Sequence, residues 1–206
     1  MKSLHHWVTT HGKLMHFAKG MMVIQQDELA THLYLLNSGW IKIGQEIESG
    51  ATITLSLRKE GDLFGLAEVL AQNDVRSRSA YCLTNVSLYA ISAKQLQTLL
   101  KEEPDLWQYL CRIMAERLLE TQHFVRALTT LPAPQRLGWF LQQFAVQRGA
   151  IYTVELPLTH EEISYLVGCS RQKVTSYLNA WRKEGAVMYE RGRIDILNSA
   201  VVFPEL

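Results

Sequence analysis

The stretch from Ser170 to Arg193 holds the side chains of this sequence best suited to grip a polyanion and read its edges. Arg171, Gln172, Thr175, Ser176, Asn179 and Arg182 recur at spacings that put them on one side of a helix. Val174, Leu178 and Trp181, four and three apart, mark the opposite side. Forked guanidinium and amide groups suit base edges in a duplex major groove: arginine can donate twice to guanine, and glutamine or asparagine can both donate and accept at adenine. Lys173 and Lys183, with the backbone amides behind Ser170, suit phosphates. Between Arg171 and Arg193 stand six basic residues (Arg171, Lys173, Arg182, Lys183, Arg191, Arg193) and two acidic ones (Glu184, Glu190), a local excess of four positive charges. The whole chain of 206 residues has 21 basic and 20 acidic residues, so this excess is local.

Other chemistry finds little support. The chain has no GxSxG, GxxxxGK[ST] or HExxH motif, and the turn at Gly168-Cys169-Ser170 has no base placed beside its nucleophiles, so an enzyme is not expected. His5, His6, His11 and His16 follow no zinc-ligand or helical i,i+4 spacing and read as an ordinary polar N-terminal segment, with no metal site. Cys82, Cys111 and Cys169 are far apart and odd in number; they read as small buried residues in a reducing cytoplasm. A composition of 48% hydrophobic and 20% charged residues excludes a disordered chain, a collagen-like repeat and a disulfide scaffold. No apolar run approaches the roughly 20 residues of a membrane span, and the first residues lack a secretory signal, so no membrane partner is expected.

The surrounding elements must hold the basic face in place. Thr159-His160-Glu161-Glu162 forms a capping box that opens a short helix through Val167. Gly168 supplies a turn, and Ser170 caps the helix carrying the basic face, which runs to Glu184 and stops at Gly185. This pair is a helix-turn-helix pattern. Beyond it, Val187–Tyr189 and Ile194–Leu197 flank Arg191-Gly192-Arg193 as a hairpin with a basic tip. Residues 1–103 read as short strands broken by turns, a small antiparallel roll or barrel. After Pro104 comes a long amphipathic helix to about Leu131, with Leu110, Met114, Phe124 and Leu128 as a dimer seam interrupted by Arg117 and Thr121. Leu131-Pro132-Ala133-Pro134 then makes a hinge, and a second helix is expected from about Pro134 to Gln147. The expected division is 1–103, 104–131 and 132–206.

At these residues the sequence resembles bacterial regulators of the cyclic AMP receptor protein type, the Crp/Fnr superfamily. The most specific match is Thr159-His160-Glu161-Glu162-Ile163 with Val167-Gly168-Cys169-Ser170-Arg171 and Val174. Gly61-Asp62-Leu63-Phe64-Gly65 and Ala90-Ile91-Ser92 match the sensor domain, and the likeness runs from about Leu33 to Leu197. It implies an α+β chain with an N-terminal β-roll like a cyclic-nucleotide-binding domain, a long dimerisation helix and a C-terminal winged helix-turn-helix. It also implies a homodimer on near-palindromic double-stranded DNA, with RNA polymerase as partner if the protein activates. The family's guanine-reading arginine falls on Arg171. Gln172 and Ser176 stand where the cyclic AMP receptor has glutamate and arginine, which puts the target sequence in question.

For the effector, the resemblance maps a cyclic-nucleotide cassette onto Gly65, the phosphate-binding pair Arg76-Ser77, and Thr121 with Gln122. Leu66 replaces the ribose-binding glutamate, and Glu68, two positions on, is expected to point elsewhere. A ribose hydroxyl left unpaired in a buried site costs about 1–3 kcal/mol, which disfavours cyclic nucleotide as effector. The pocket is left with three readings: empty, filled by side chains, or adapted to another ligand. Arg76 and Arg78 read equally well as a solvated loop. A ligand-binding module acting through a protein partner, not DNA, is the competing functional class.

Overall fold

The computed structural model describes residues 4–47, 52–190 and 192–204, so Arg191 at the expected hairpin tip lies outside the described residues. The chain forms two compact units, Met1–Leu118 and Leu119–Leu206. The first contains α1 (Leu4–His11), β1 (Lys13–Phe17), β2 (Met22–Ile24), β3 (His32–Ser38), β4 (Ile41–Glu46) and β5 (Thr52–Arg58). It continues with β6 (Leu63–Phe64), α2 (Leu66–Ala71), β7 (Ser79–Cys82), β8 (Val86–Ser92), α3 (Ala93–Glu102) and the first half of α4 (Asp105–Thr130). Two antiparallel four-stranded sheets, β1-β8-β3-β6 and β2-β7-β4-β5, make the roll.

β3 shows why both faces are sealed. Its side chains alternate, so Leu33 and Leu35 enter a cluster with Leu4, Val8, Leu66, Leu96 and Leu110 from the helices. Leu36, pointing the other way, joins Ile24, Ile41, Phe64, Ala80 and Leu88 between the sheets. The N-terminal histidines therefore do not sit in a plain polar segment. His5, His6 and His11 lie on α1, whose Leu4 and Val8 are fully buried, and His16 lies on β1; His5 bridges the Gly61 carbonyl (2.7 Å) and the Tyr109 hydroxyl (2.9 Å).

Part of the seam read from the sequence is committed inside the chain, while Thr121 and Leu128 stay exposed. Leu110 is 1% exposed in the core of its own unit, and Met114 packs against that same core. Arg117 donates to the Leu63 carbonyl, Phe124 meets the Trp139 ring, and Leu128 borders Gly168. The outward large apolar side chains of α4 are Trp107, Leu118, Leu119, Val125 and Leu128. Nor is α4 a module apart: its first half completes one core and its second half belongs to the other unit. The cysteines also differ from expectation. Cys82 is buried, its thiol pushed up to about 11 by desolvation, but Cys169 is half-buried and Cys111 exposed.

The second unit contains the rest of α4, then α5 (Ala133–Gln142), β9 (Ala145–Arg148), β10 (Ile151–Glu155), α6 (His160–Val167) and α7 (Arg171–Lys183). β11 (Val187–Glu190), β12 (Arg193–Ile196) and α8 (Ser199–Val202) complete it. The sheet runs β11-β12-β10-β9, all antiparallel. The helix expected through Gln147 ends at Gln142, because Ala145–Arg148 pairs with β10 across a tight turn at Gly149, φ +64°. The ladder bonds of this pairing outweigh continuing a helix with β-branched Val146 in it.

α5 and α8 pack so closely that Gly138 has no room for a side chain: a Cβ there would fall 1.8 Å from the Val202 carbonyl oxygen. Gly138→Ala would gain up to about 1 kcal/mol of helix propensity. It would lose roughly 1–3 kcal/mol to overpacking. A net fall in the melting temperature of the second unit is expected in thermal unfolding.

Candidate functional site

The basic face depends first on how α7 is seated. Thr159 and Glu162 form the reciprocal cap of α6: the Thr159 hydroxyl accepts from the Glu162 amide (3.2 Å), and Glu162 accepts from the Thr159 amide (2.9 Å). Gly168 ends α6 in the left-handed region at φ +66°, and Ser170 caps α7 by accepting from the Lys173 amide. Val174 and Leu178 are completely buried and Trp181 nearly so. Arg136, on α5, locks the turn. Its guanidinium donates to the carbonyls of Val167 (2.8 Å), Gly168 (2.9 Å) and Leu131 (2.8 Å). From sequence it was one more helical charge, with nothing to mark it as a cap for another helix.

With the inward side sealed, Arg171, Gln172, Lys173, Ser176 and Lys183 are exposed. An open concavity of about 990 Å³ runs along this face, and every residue lining it belongs to α7 or its cap: Ser170, Arg171, Gln172, Thr175, Ser176, Asn179, Ala180 and Lys183. The residues named from the sequence for this face are thus brought together, but not all are equally available. Asn179 uses its carbonyl oxygen to accept from the Tyr189 hydroxyl (2.9 Å) and Arg182 (3.0 Å), and the Arg182 guanidinium lies 5.1 Å over the Tyr189 ring. Two-sided reading of adenine needs that oxygen, so Asn179 offers only its amide donors. Arg182 is turned onto the hairpin, and Arg193 is paired with Asp195 at 2.9 Å. Asp195 lies just past the segment over which the charge was counted, and it reduces that excess by one. Its carboxyl is held below the usual range by the Arg193 hydrogen bond.

His160 is a member of the site that sequence reading used only as part of a cap. Thr175 donates its hydroxyl proton to the Arg171 carbonyl (3.1 Å), so it accepts from His160 Nδ1 (2.9 Å). The imidazole thereby buttresses the α7 turn that carries Arg171, with its ring 5.8 Å from that of Tyr189.

In the first unit the effector residues are also occupied. Arg76 is 2% exposed and donates to the carbonyls of Gly65 (2.8 Å) and His32, so it is no solvated loop residue. Glu68, expected to point away, turns to it at 3.6 Å and accepts from the Ser77 hydroxyl at 2.7 Å. Leu66 is fully buried in the helix-side core. Thr121 and Gln122 are exposed on the part of α4 that belongs to the second unit, and Gly65, Arg76 and Ser77 belong to the first.

Comparison with known proteins agrees with this architecture. The family model described as "Cyclic nucleotide-binding domain" matches residues 14–103, and the one described as "Crp-like helix-turn-helix domain" matches residues 135–201. The chain belongs to the Crp/Fnr family of transcriptional regulators. Among Crp/Fnr relatives, a global nitrogen regulator of Synechococcus elongatus is 28% identical over 187 residues, covering 88% of this chain and 84% of that protein. A "CRP-like cAMP-activated global transcriptional regulator" of Mycobacterium tuberculosis is 29% identical over 187 residues, covering 89% and 83%. The fold matches FixK2 from Bradyrhizobium japonicum with a TM-score of 0.83 at 16% identity, over 95% of this chain and 98% of that one. As a Crp/Fnr regulator, the chain has in α6 and α7 its DNA-binding helix-turn-helix and in β11–β12 the hairpin beside it.

The His160 contact sets a pH dependence. Burial, and then the Arg171 charge, hold its imidazole below the ordinary 6.5. Between that lowered value and 6.5 the unfolded chain binds more protons than the fold, so this contribution is complete above 6.5 and is lost as pH falls through the lowered value. Melting curves taken from about pH 7.5 down to about pH 5 should show the second unit losing stability. His160→Gln should flatten that slope; a variant that tracks the parent throughout would remove His160 as the titrating group.

Proposed function

We propose that the protein is a cytoplasmic homodimeric regulator that sets α7 of each copy into successive major grooves of near-palindromic DNA, about one turn apart. The observation that carries this is the exposed α7 face, a concavity lined by α7 and its cap alone, with Arg171 and Gln172 at its leading end. Arg171 reads guanine, Gln172 and Ser176 supply the neighbouring base contacts, and Ser170, Lys173 and Lys183 hold phosphates. Asn179 donates to an acceptor on the duplex, while Arg182 and Tyr189 hold it in that orientation. Where the regulator activates, RNA polymerase is its further partner. Among the described residues no helix is long and apolar enough to cross a membrane, which supports action away from lipid.

The dimer uses the outward stripe of α4. Cys111, Ala115, Leu118, Gln122 and Val125 repeat at four- and three-residue spacing, and all are exposed. Leu118 is 59% exposed and Val125 51%, two apolar side chains on one stripe that a second copy would cover. The seam is short on large residues, and Gln122 at its middle favours one register.

Two measurements test this reading. In band shifts with duplexes selected from random pools, Arg171→Ala should cost about 1–3 kcal/mol and relax one guanine position. Lys183→Ala should weaken all sequences alike and lower the salt slope by about 1. Absence of any preference over random DNA would refute sequence-specific binding. In sedimentation, Leu118→Glu should move the protein from dimer to monomer, whereas Leu110→Glu should unfold the first unit.

A further inference from the structure

Arg76 is the largest fully buried side chain among the described residues and carries a charge. A sealed guanidinium must be matched by acceptors, because desolvation without them costs several kcal/mol. The carbonyls of Gly65 and His32 satisfy part of it, and the Glu68 carboxylate supplies the counter-charge at 3.6 Å. Gly65 makes the approach possible: in its left-handed conformation, φ +66°, a Cβ would fall 3.1 Å from Arg76 Nη1. The same carboxylate accepts from the Ser77 hydroxyl at 2.7 Å and the Ser77 amide at 3.4 Å.

One guanidinium, one hydroxyl and one amide around a singly charged group with two equivalent oxygens is a cradle for an oxyanion. A cyclic phosphodiester presents that pattern through its two non-bridging oxygens. In this chain a carboxylate of its own already presents it. Beside it Leu66 is fully buried in the helix-side core, so the side chain at that position offers nothing polar to a sugar hydroxyl. A cyclic nucleotide therefore does not fit these residues without expelling Glu68 and leaving its ribose unmatched.

We infer that Glu68 is a built-in ligand: it fills the Arg76–Ser77 cradle, and the β-roll takes up its structure without a cyclic nucleotide. The carboxylate is tethered in the same chain, only nine positions from Ser77. Its effective concentration is on the order of millimolar or above, and a nucleotide would have to displace it to reach Arg76 and Ser77. Burial raises the carboxyl's proton affinity, but the Ser77 hydrogen bonds and the Arg76 charge outweigh it and keep the group ionised. The regulator is then controlled by its own abundance or by a signal received elsewhere.

Thermal shift and calorimetry on the full chain test this independently of DNA binding. For the parent protein, cyclic AMP should release no heat of binding and leave the melting temperature of the first unit unchanged. Glu68→Ala should melt several degrees lower and regain most of that loss in acetate or inorganic phosphate, but not in chloride at equal ionic strength. Glu68→Asp, which keeps the charge, should melt between the two. Micromolar binding of cyclic AMP by the parent would overturn the inference, and this titration decides the matter even if Glu68→Ala does not fold. A Glu68→Ala protein as stable as its parent and indifferent to anions would overturn it as well. Should the parent select no DNA sequence yet meet the thermal expectations, the DNA reading would fail and the self-filled cradle would stand.

Discussion

Three buried side chains decide which way the DNA-binding helix faces. Val174, Leu178 and Trp181 form one stripe of α7, and sealing them leaves the helix a single orientation. The polar residues between them are then presented outward because they have nowhere else to go. Everything the second unit does to this helix refines that orientation. Ser170 fixes where α7 starts, Gly168 fixes how the chain turns into it, and His160 and Tyr189 brace individual residues from neighbouring elements. The division of labour on α7 follows. Arg171, Gln172 and Lys173 at its leading end stay exposed, while Thr175, Asn179 and Arg182 spend part of their bonding capacity within the fold.

The first unit obeys the same logic with a different payload. Two-faced strands such as β3 commit alternate residues to two clusters, so the roll has little freedom left in its core. Into this apolar setting the chain brings Arg76, a group that desolvation would expel unless its acceptors were prepared in advance. The left-handed Gly65, the free His32 carbonyl at the start of β3 and Glu68 on α2 converge to receive it. The roll is thus organised around an anion-accepting point even while that point is occupied from within.

Local patterns were legible in the sequence and distant partnerships were not. The capping box at Thr159, the Gly168 turn, the 4-and-3 spacing along α7 and the short strands broken by turns before residue 103 each depend on residues within a few positions of one another. The extent of α4 was equally readable, but its orientation was not. Two apolar stripes run along it, Leu110 and Met114 on one and Leu118 and Val125 on the other, and periodicity alone does not say which meets a core. α5 was overextended because Ala145–Arg148 is helix-compatible until β10 is present to pair with it. Glu68 was read as pointing away since its partners depend on how the α2–β7 segment folds back, a matter of tertiary geometry. The roles of Arg136 at the α6–α7 turn and of Tyr189 at Asn179 carried no signal, because those partners stand 31 and ten residues away.

The triple grip of Arg136 changes what the two prolines after α4 can mean. A Leu131-Pro132-Ala133-Pro134 step in isolation is a swivel, yet one guanidinium ties the Leu131 carbonyl before the swivel to the Val167 and Gly168 carbonyls far beyond it. The last turn of α4, α5 and the bend that launches α7 are therefore riveted into one lever arm. A swivel at the two prolines would have to break these three bonds, so the step is held by a side chain and not left to the backbone alone.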